Sequence, residues 1–90
     1  MKTNRYIVKG IVQGVAFRHY TMKAAQDYKI KGTVKNLYNG DVEVYAQGAD
    51  ESIKLFEDFL KNGPRSARVD KVIKKVKEID ETYTDFDIIF

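Results

Sequence analysis

Arg18 ends a nine-residue stretch, Gly10 to Arg18 (G-I-V-Q-G-V-A-F-R), whose residue types suit the capture of a small anion. An apolar, strand-like run (Tyr6, Ile7, Val8, Ile11, Val12) enters a turn containing Gly14, and Arg18 falls where a helical pattern begins. Glycine lets backbone N–H groups converge, a helix N-terminus adds partial positive charge, and a guanidinium offers two donors in one plane. Phosphate fits such a cradle. An ordinary strand-to-helix turn with a solvated arginine would show the same spacing.

Asn36 interrupts an apolar row. In an extended segment it shares a face with Val34 and Tyr38. A buried amide must be hydrogen-bonded, either to nearby backbone or to something held for a purpose.

The stretch around Arg18 resembles the first signature of the acylphosphatase family, G-x-V-Q-G-V-x-F-R. The second family signature, G-W-V-x-N-x-x-D-G-x-V-E, is similar to Gly32 to Glu43, G-T-V-K-N-L-Y-N-G-D-V-E. Gly63-Pro64 with Ala67 and Val69 resembles the family's G-P-x-x-A-x-V, and Phe86-Asp87-Ile88 its closing F-x-I. These matches run in order along the whole chain. Three departures stand out. Ala16 takes a place often held by glycine, which stiffens the loop. Thr33 replaces a tryptophan, which removes packing but no chemistry. Asn39 replaces an aspartate, and Asn39-Gly40 is an equally good turn pair.

The resemblance implies an acylphosphatase, an enzyme that hydrolyses small acyl phosphates to carboxylate and inorganic phosphate with no metal or organic cofactor. Carbamoyl phosphate, 1,3-bisphosphoglycerate and aromatic acyl phosphates are the substrates it suggests. Arg18 would grip two phosphoryl oxygens, and the backbone N–H groups of Gln13, Gly14, Val15, Ala16, Phe17 and Arg18 would complete the cradle. Asn36 would hold the attacking water. An amide is no base at neutral pH, but an acyl phosphate is already activated, so positioning and charge stabilisation carry the rate. The remaining polar candidates read more plainly. His19, the single histidine, is expected at the helix start pointing away from the loop, and one histidine makes no metal-ligand set. Val15 and Phe17 read as core anchors, Tyr38 and Tyr45 as packing residues. Lys9, Lys23 and Lys35 are exposed charges that raise the local potential.

Ninety residues suit one domain, expected to span 1–90. A hydrophobic share of 43% with 32% charged residues fits a folded chain and argues against disorder. There is no apolar run of about 20 residues, the length a membrane span needs. Met1-Lys2-Thr3-Asn4-Arg5 lacks the apolar core of a signal peptide. Without cysteine, disulfide and thiol chemistry are excluded. Cytoplasmic residence, a monomer and no membrane partner are the expectation. The net charge of +3 favours small anions over bulk nucleic acid. Six tyrosines on a basic chain leave an RNA-binding module as a rival reading, although no segment resembles the K/R-G-F/Y-G/A-F-V-x-F/Y signature. A third reading keeps the fold as a domain of a larger carbamoyl-transfer protein.

The elements that must position these residues follow from local patterns. A strand is predicted over Arg5 to Val12 and a helix over His19 to Tyr28, with Thr21, Met22, Ala25 and Tyr28 on one face. Lys29 stands where the family usually ends this helix with glycine, and a left-handed lysine there costs roughly 1 kcal/mol. Gly32–Tyr38 and Asp41–Gln47 read as a hairpin closed by Asn39-Gly40, with Val42, Val44 and Ala46 opposite Glu43, Tyr45 and Gln47. Asp50 is expected to cap a helix reaching Asn62, stopped by Gly63-Pro64. Val69, Val72, Ile73, Val76 and Ile79 fit a helical period, while their β-branching favours a strand. The resemblance decides for the strand, with Lys71 to Lys77 as a solvated face. Phe86, Ile88 and Phe90 alternate as a last strand. The order is an α+β, ferredoxin-like βαββαβ sandwich, an antiparallel sheet with two helices on one face, with room for a short extra strand.

Overall fold

The computed structural model describes residues 2–90. Five strands and two helices follow the chain as β1 (Lys2–Ile11), α1 (Phe17–Asp27), β2 (Lys31–Asn36), β3 (Val42–Gln47), α2 (Asp50–Asn62), β4 (Arg68–Glu78) and β5 (Phe86–Ile89). The sheet order is β4-β1-β3-β2-β5. Pairing is antiparallel among the first four, and β5 adds a parallel edge beside β2, so the sheet is mixed. This is the ferredoxin-like sandwich that the motif order implies, completed by the short extra strand.

Alternation along the strands builds the core. Tyr6 and Val8 of β1, Val34 of β2, and Val42, Val44 and Ala46 of β3 meet Phe17, Ala24 and Ala25 of α1 and Ile53, Phe56 and Leu60 of α2. The Tyr6 ring lies edge-on to Phe56, and its hydroxyl leaves the core to donate to Glu57 at 2.6 Å. Burial pushes the Glu57 carboxyl up, but hydrogen bonds from Lys74 and Tyr6 more than offset it and leave it below its ordinary value.

Four sequence expectations shift. β1 begins three residues early, because Thr3 is buried and Gln47 Nε2 donates to its hydroxyl at 2.8 Å. Gln47, expected outward with Glu43 and Tyr45, is therefore buried, and it also binds Glu81 O and the Tyr83 N–H. Tyr38 does not pack: β2 ends at Asn36, and Tyr38 projects fully exposed from the turn. Asp50 is the first residue of α2 rather than its cap, which is Ala49 with no capping side chain.

Helix α1 ends on Tyr28 as a Schellman motif. Ile30 N–H bonds Ala25 O at 2.8 Å and Lys29 N–H bonds Gln26 O at 3.3 Å, which forces Lys29 to φ 57°. Lys29 is exposed, so the left-handed strain brings no packing in return. Lys29→Gly will stabilise the fold by about 1 kcal/mol, a few degrees in Tm on thermal unfolding, with turnover unchanged.

Candidate active site

The β1–α1 connection, Val12 to Ala16, forms one wall of the site. Its shape is set by backbone conformation: Gly14 takes φ 74° and Ala16, the residue before α1, takes φ 61°. A non-glycine residue in the left-handed region costs about 1 kcal/mol, and here that strain sits beside the candidate arginine. Two anchors hold the loop down. Phe17 is buried in the core against Phe59, and Ser66 Oγ donates to Val15 O at 2.8 Å. No side chain caps the start of α1, where Tyr20 N–H bonds Ala16 O at 3.1 Å. The amide N–H groups ahead of Tyr20 therefore have no intrahelical acceptor.

Arg18 and Asn36 line one cavity of about 180 Å³ together with Gly14, Ala16, Phe17, Ile88 and Phe90. The Phe90 ring stacks 4.9 Å from the Arg18 guanidinium carbon. Among the described residues no carboxylate pairs with Arg18, whereas Arg5, Lys9, Arg68 and Lys74 each hold one. Asn36 ends β2, which β3 separates from β1, on the helix side of the sheet with Val34. Its Oδ1 is buried and has no hydrogen-bond partner, a state shared among the described residues only by Asn4 Oδ1. The expectation that Asn36 shares a face with Val34 thus holds, and its amide oxygen finds no backbone partner.

Two loop residues turn their side chains elsewhere. Val15 packs against the core. Gln13 points across to the β2–β3 turn and lines a neighbouring cavity of about 470 Å³ with Lys35, Asn36, Leu37, Tyr38 and Phe90. His19, at the start of α1 as expected, is exposed, with its ring edge-on to Tyr20, and it also contributes to the lining of the Arg18 cavity. Of the three lysines, Lys9 is neutralised by Asp41 at 2.6 Å, while Lys35 stays at the cavity's side. Phe90 was not singled out for the site, although its alternation with Phe86 and Ile88 was the signal that could have placed it there. No group of three His, Asp or Glu side chains that could hold a metal occurs among the described residues.

The fold and the cavity together define a ferredoxin-like α+β sandwich with an arginine and an asparagine lining one cavity beside a strand-to-helix loop. The acylphosphatase family model matches residues 4–88, and the chain belongs to the acylphosphatase family. An acylphosphatase of Geobacter sulfurreducens is 42% identical over 81 residues, covering 90% of this chain and 89% of that protein. The crystal structure of acylphosphatase from Bacillus subtilis superposes over the full length of both chains with a TM-score of 0.94 at 33% identity. Full-length HypF in its phosphate- and nucleotide-bound form contains the same fold, with a TM-score of 0.86 and 33% identity over all of this chain but 12% of that one. The protein is accordingly a hydrolase of acyl phosphates. No helix among the described residues is long and apolar enough to cross a membrane.

Proposed function

We propose that Arg18 and the N–H groups of Gln13 to Arg18 hold the phosphoryl group of a small acyl phosphate while Asn36 holds the water that attacks it. The observation that carries this reading is the unpartnered Asn36 Oδ1 in the same cavity as an arginine without a carboxylate. A buried acceptor without a donor costs stability unless a bound molecule supplies one. Water supplies an O–H to Oδ1 and turns a lone pair toward phosphorus. As that oxygen bonds to phosphorus, the bond to the acyl oxygen breaks and the carboxylate departs as an anion. Water's proton passes to a phosphoryl oxygen. A carboxylate leaves without protonation, so no general acid is needed, and the weak amide suffices as an orienting group.

The guanidinium and the loop amides would oppose the charge on the phosphoryl oxygens in the transition state. The uncapped start of α1 supports this, since those amides lack other acceptors. A single domain fits the family match over residues 4–88 and the one continuous core. Met1 lies outside the described residues. The RNA reading finds little support on the sheet face turned from the helices. There β1 and β3 carry Arg5, Ile7, Glu43 and Tyr45 rather than a row of aromatics, and Arg5 is bound to Glu43 at 2.6 Å.

The test is hydrolysis of benzoyl phosphate followed by ultraviolet absorbance in the presence of a chelator. Saturable turnover, inhibited competitively by inorganic phosphate, is the expected result. A folded protein without turnover would overturn the reading.

A further inference from the structure

One side chain ties the two halves of the site together. Gln13 Nε2 donates to Leu37 O at 2.7 Å and to Asp41 O at 2.8 Å. Leu37 directly follows Asn36, and both carbonyls already serve the turn: Leu37 N–H bonds Asp41 O at 2.9 Å, and Gly40 N–H bonds Leu37 O at 3.2 Å. The two amide protons of Gln13 therefore take the second lone pairs of two carbonyls that the hairpin has already aligned. The other polar ties of this turn do not reach the loop. Asp41 is held by Lys9 from β1 and by Asn39 from within the turn. Gln13 is the hydrogen-bonded link shown between the β1–α1 loop and the strand end that carries Asn36.

We propose that Gln13 is a positioning residue that sets the distance between the phosphoryl cradle and the amide of Asn36. Its side-chain protons are spent on Leu37 O and Asp41 O, so the side chain acts through where it holds Asn36 and not by touching the reacting atoms. Its chemistry is specific. Two donors on one nitrogen are needed for two carbonyls, and a side chain one methylene shorter would retract that nitrogen from both. An in-line attack tolerates little displacement of the water, so a loosened strand end slows the chemical step without weakening the grip on phosphate. This inference rests on the role given above to Asn36.

The experiment is a double-mutant cycle of Gln13→Met and Asn36→Ala, reading kcat, KM and the inhibition constant for inorganic phosphate with benzoyl phosphate as substrate. Methionine keeps the length and loses both donors. Gln13→Met alone should lower kcat about tenfold and leave phosphate inhibition within about twofold. In the Asn36→Ala background the same substitution should cost less than about twofold, because there is no amide left to misplace. Full turnover in Gln13→Met, the same tenfold cost in both backgrounds, or a loss confined to phosphate affinity would each overturn the inference. Should Asn36→Ala itself retain full turnover, the reading of Asn36 fails and the inference falls with it. Gln13→Asn, which keeps the amide but shortens its reach, carries the same cycle if the methionine variant does not fold.

Discussion

Arg18→Ala will lower kcat/KM for benzoyl phosphate by about 10³-fold and weaken inhibition by inorganic phosphate by about tenfold or more. The two effects would differ because the proposed role gives the guanidinium two tasks. In the proposed ground state it would contribute charge-assisted hydrogen bonds to a phosphate dianion that the loop amides would also hold. In the transition state it would oppose charge spread over the phosphoryl oxygens in a site lined by Phe17, Ile88 and Phe90, where removing even one oriented donor costs 10²-fold or so. Arg18→Lys separates charge from geometry. Lysine keeps the positive charge but offers no planar fork, and it cannot stack on Phe90 as the guanidinium does at 4.9 Å. It should recover phosphate affinity more than turnover. Steady-state kinetics with both variants would decide the matter, and Arg18→Ala retaining more than about a tenth of wild-type kcat/KM would remove Arg18 from the centre of the mechanism.

Much of this architecture is legible in the residues, and the exceptions have physical causes. Gly40 at φ 95° and the Gly63 helix stop at φ 67° follow from local conformational preference, although Asn39-Gly40 sits within a five-residue connection between Asn36 and Val42, and the left-handed Lys29 follows from the resemblance, which puts glycine there. The last long strand is different. Val69 and Val72 stand three apart, as on a helix, yet both pack against the core. The reason is a bulge opposite Lys9 and Gly10: Lys9 pairs with Lys71 and Gly10 with Val69, so Asp70 is an extra residue that turns the next side chain back to the same face. Gly10 permits this at φ 137°, where a Cβ would come within 2.1 Å of Arg68 O. No local pattern announces such a bulge, because it arises from the pairing of two distant segments. The same holds at the site. The nearness of Arg18 and Asn36 follows from motif resemblance and fold order, whereas the reach of Gln13 to Leu37 O depends on how a loop and a turn 24 residues apart come to face each other. Gln47 belongs to this class too, since its burial depends on Thr3, Glu81 and Tyr83 converging on it.

Asn36→Ala will behave unlike Arg18→Ala in two respects. It should cut kcat by about 10²-fold while leaving phosphate inhibition within about twofold, because in the proposed role the amide addresses the nucleophile and not the phosphoryl group. It should also leave the fold at least as stable. Most buried polar side chains lose a hydrogen bond when replaced by alanine, but Asn36 Oδ1 has none to lose. Its burial without a protein donor disfavours the folded state by about 1 kcal/mol wherever no bound molecule supplies the proton. Asn36→Ala removes that cost and opens only a small space beside a cavity that is already open. Activity and stability therefore move in opposite directions at one residue, the pattern expected where a polar group is retained for what it binds. Thermal unfolding measured beside the kinetics makes the distinction. A fall in Tm together with turnover would assign Asn36 to holding β2 in place. Asn36→Asp provides the complementary test, because a carboxylate at this position can still orient water but repels the phosphoryl oxygens held by Arg18. In that variant phosphate affinity should fall along with turnover, which separates the geometry of the group from its charge.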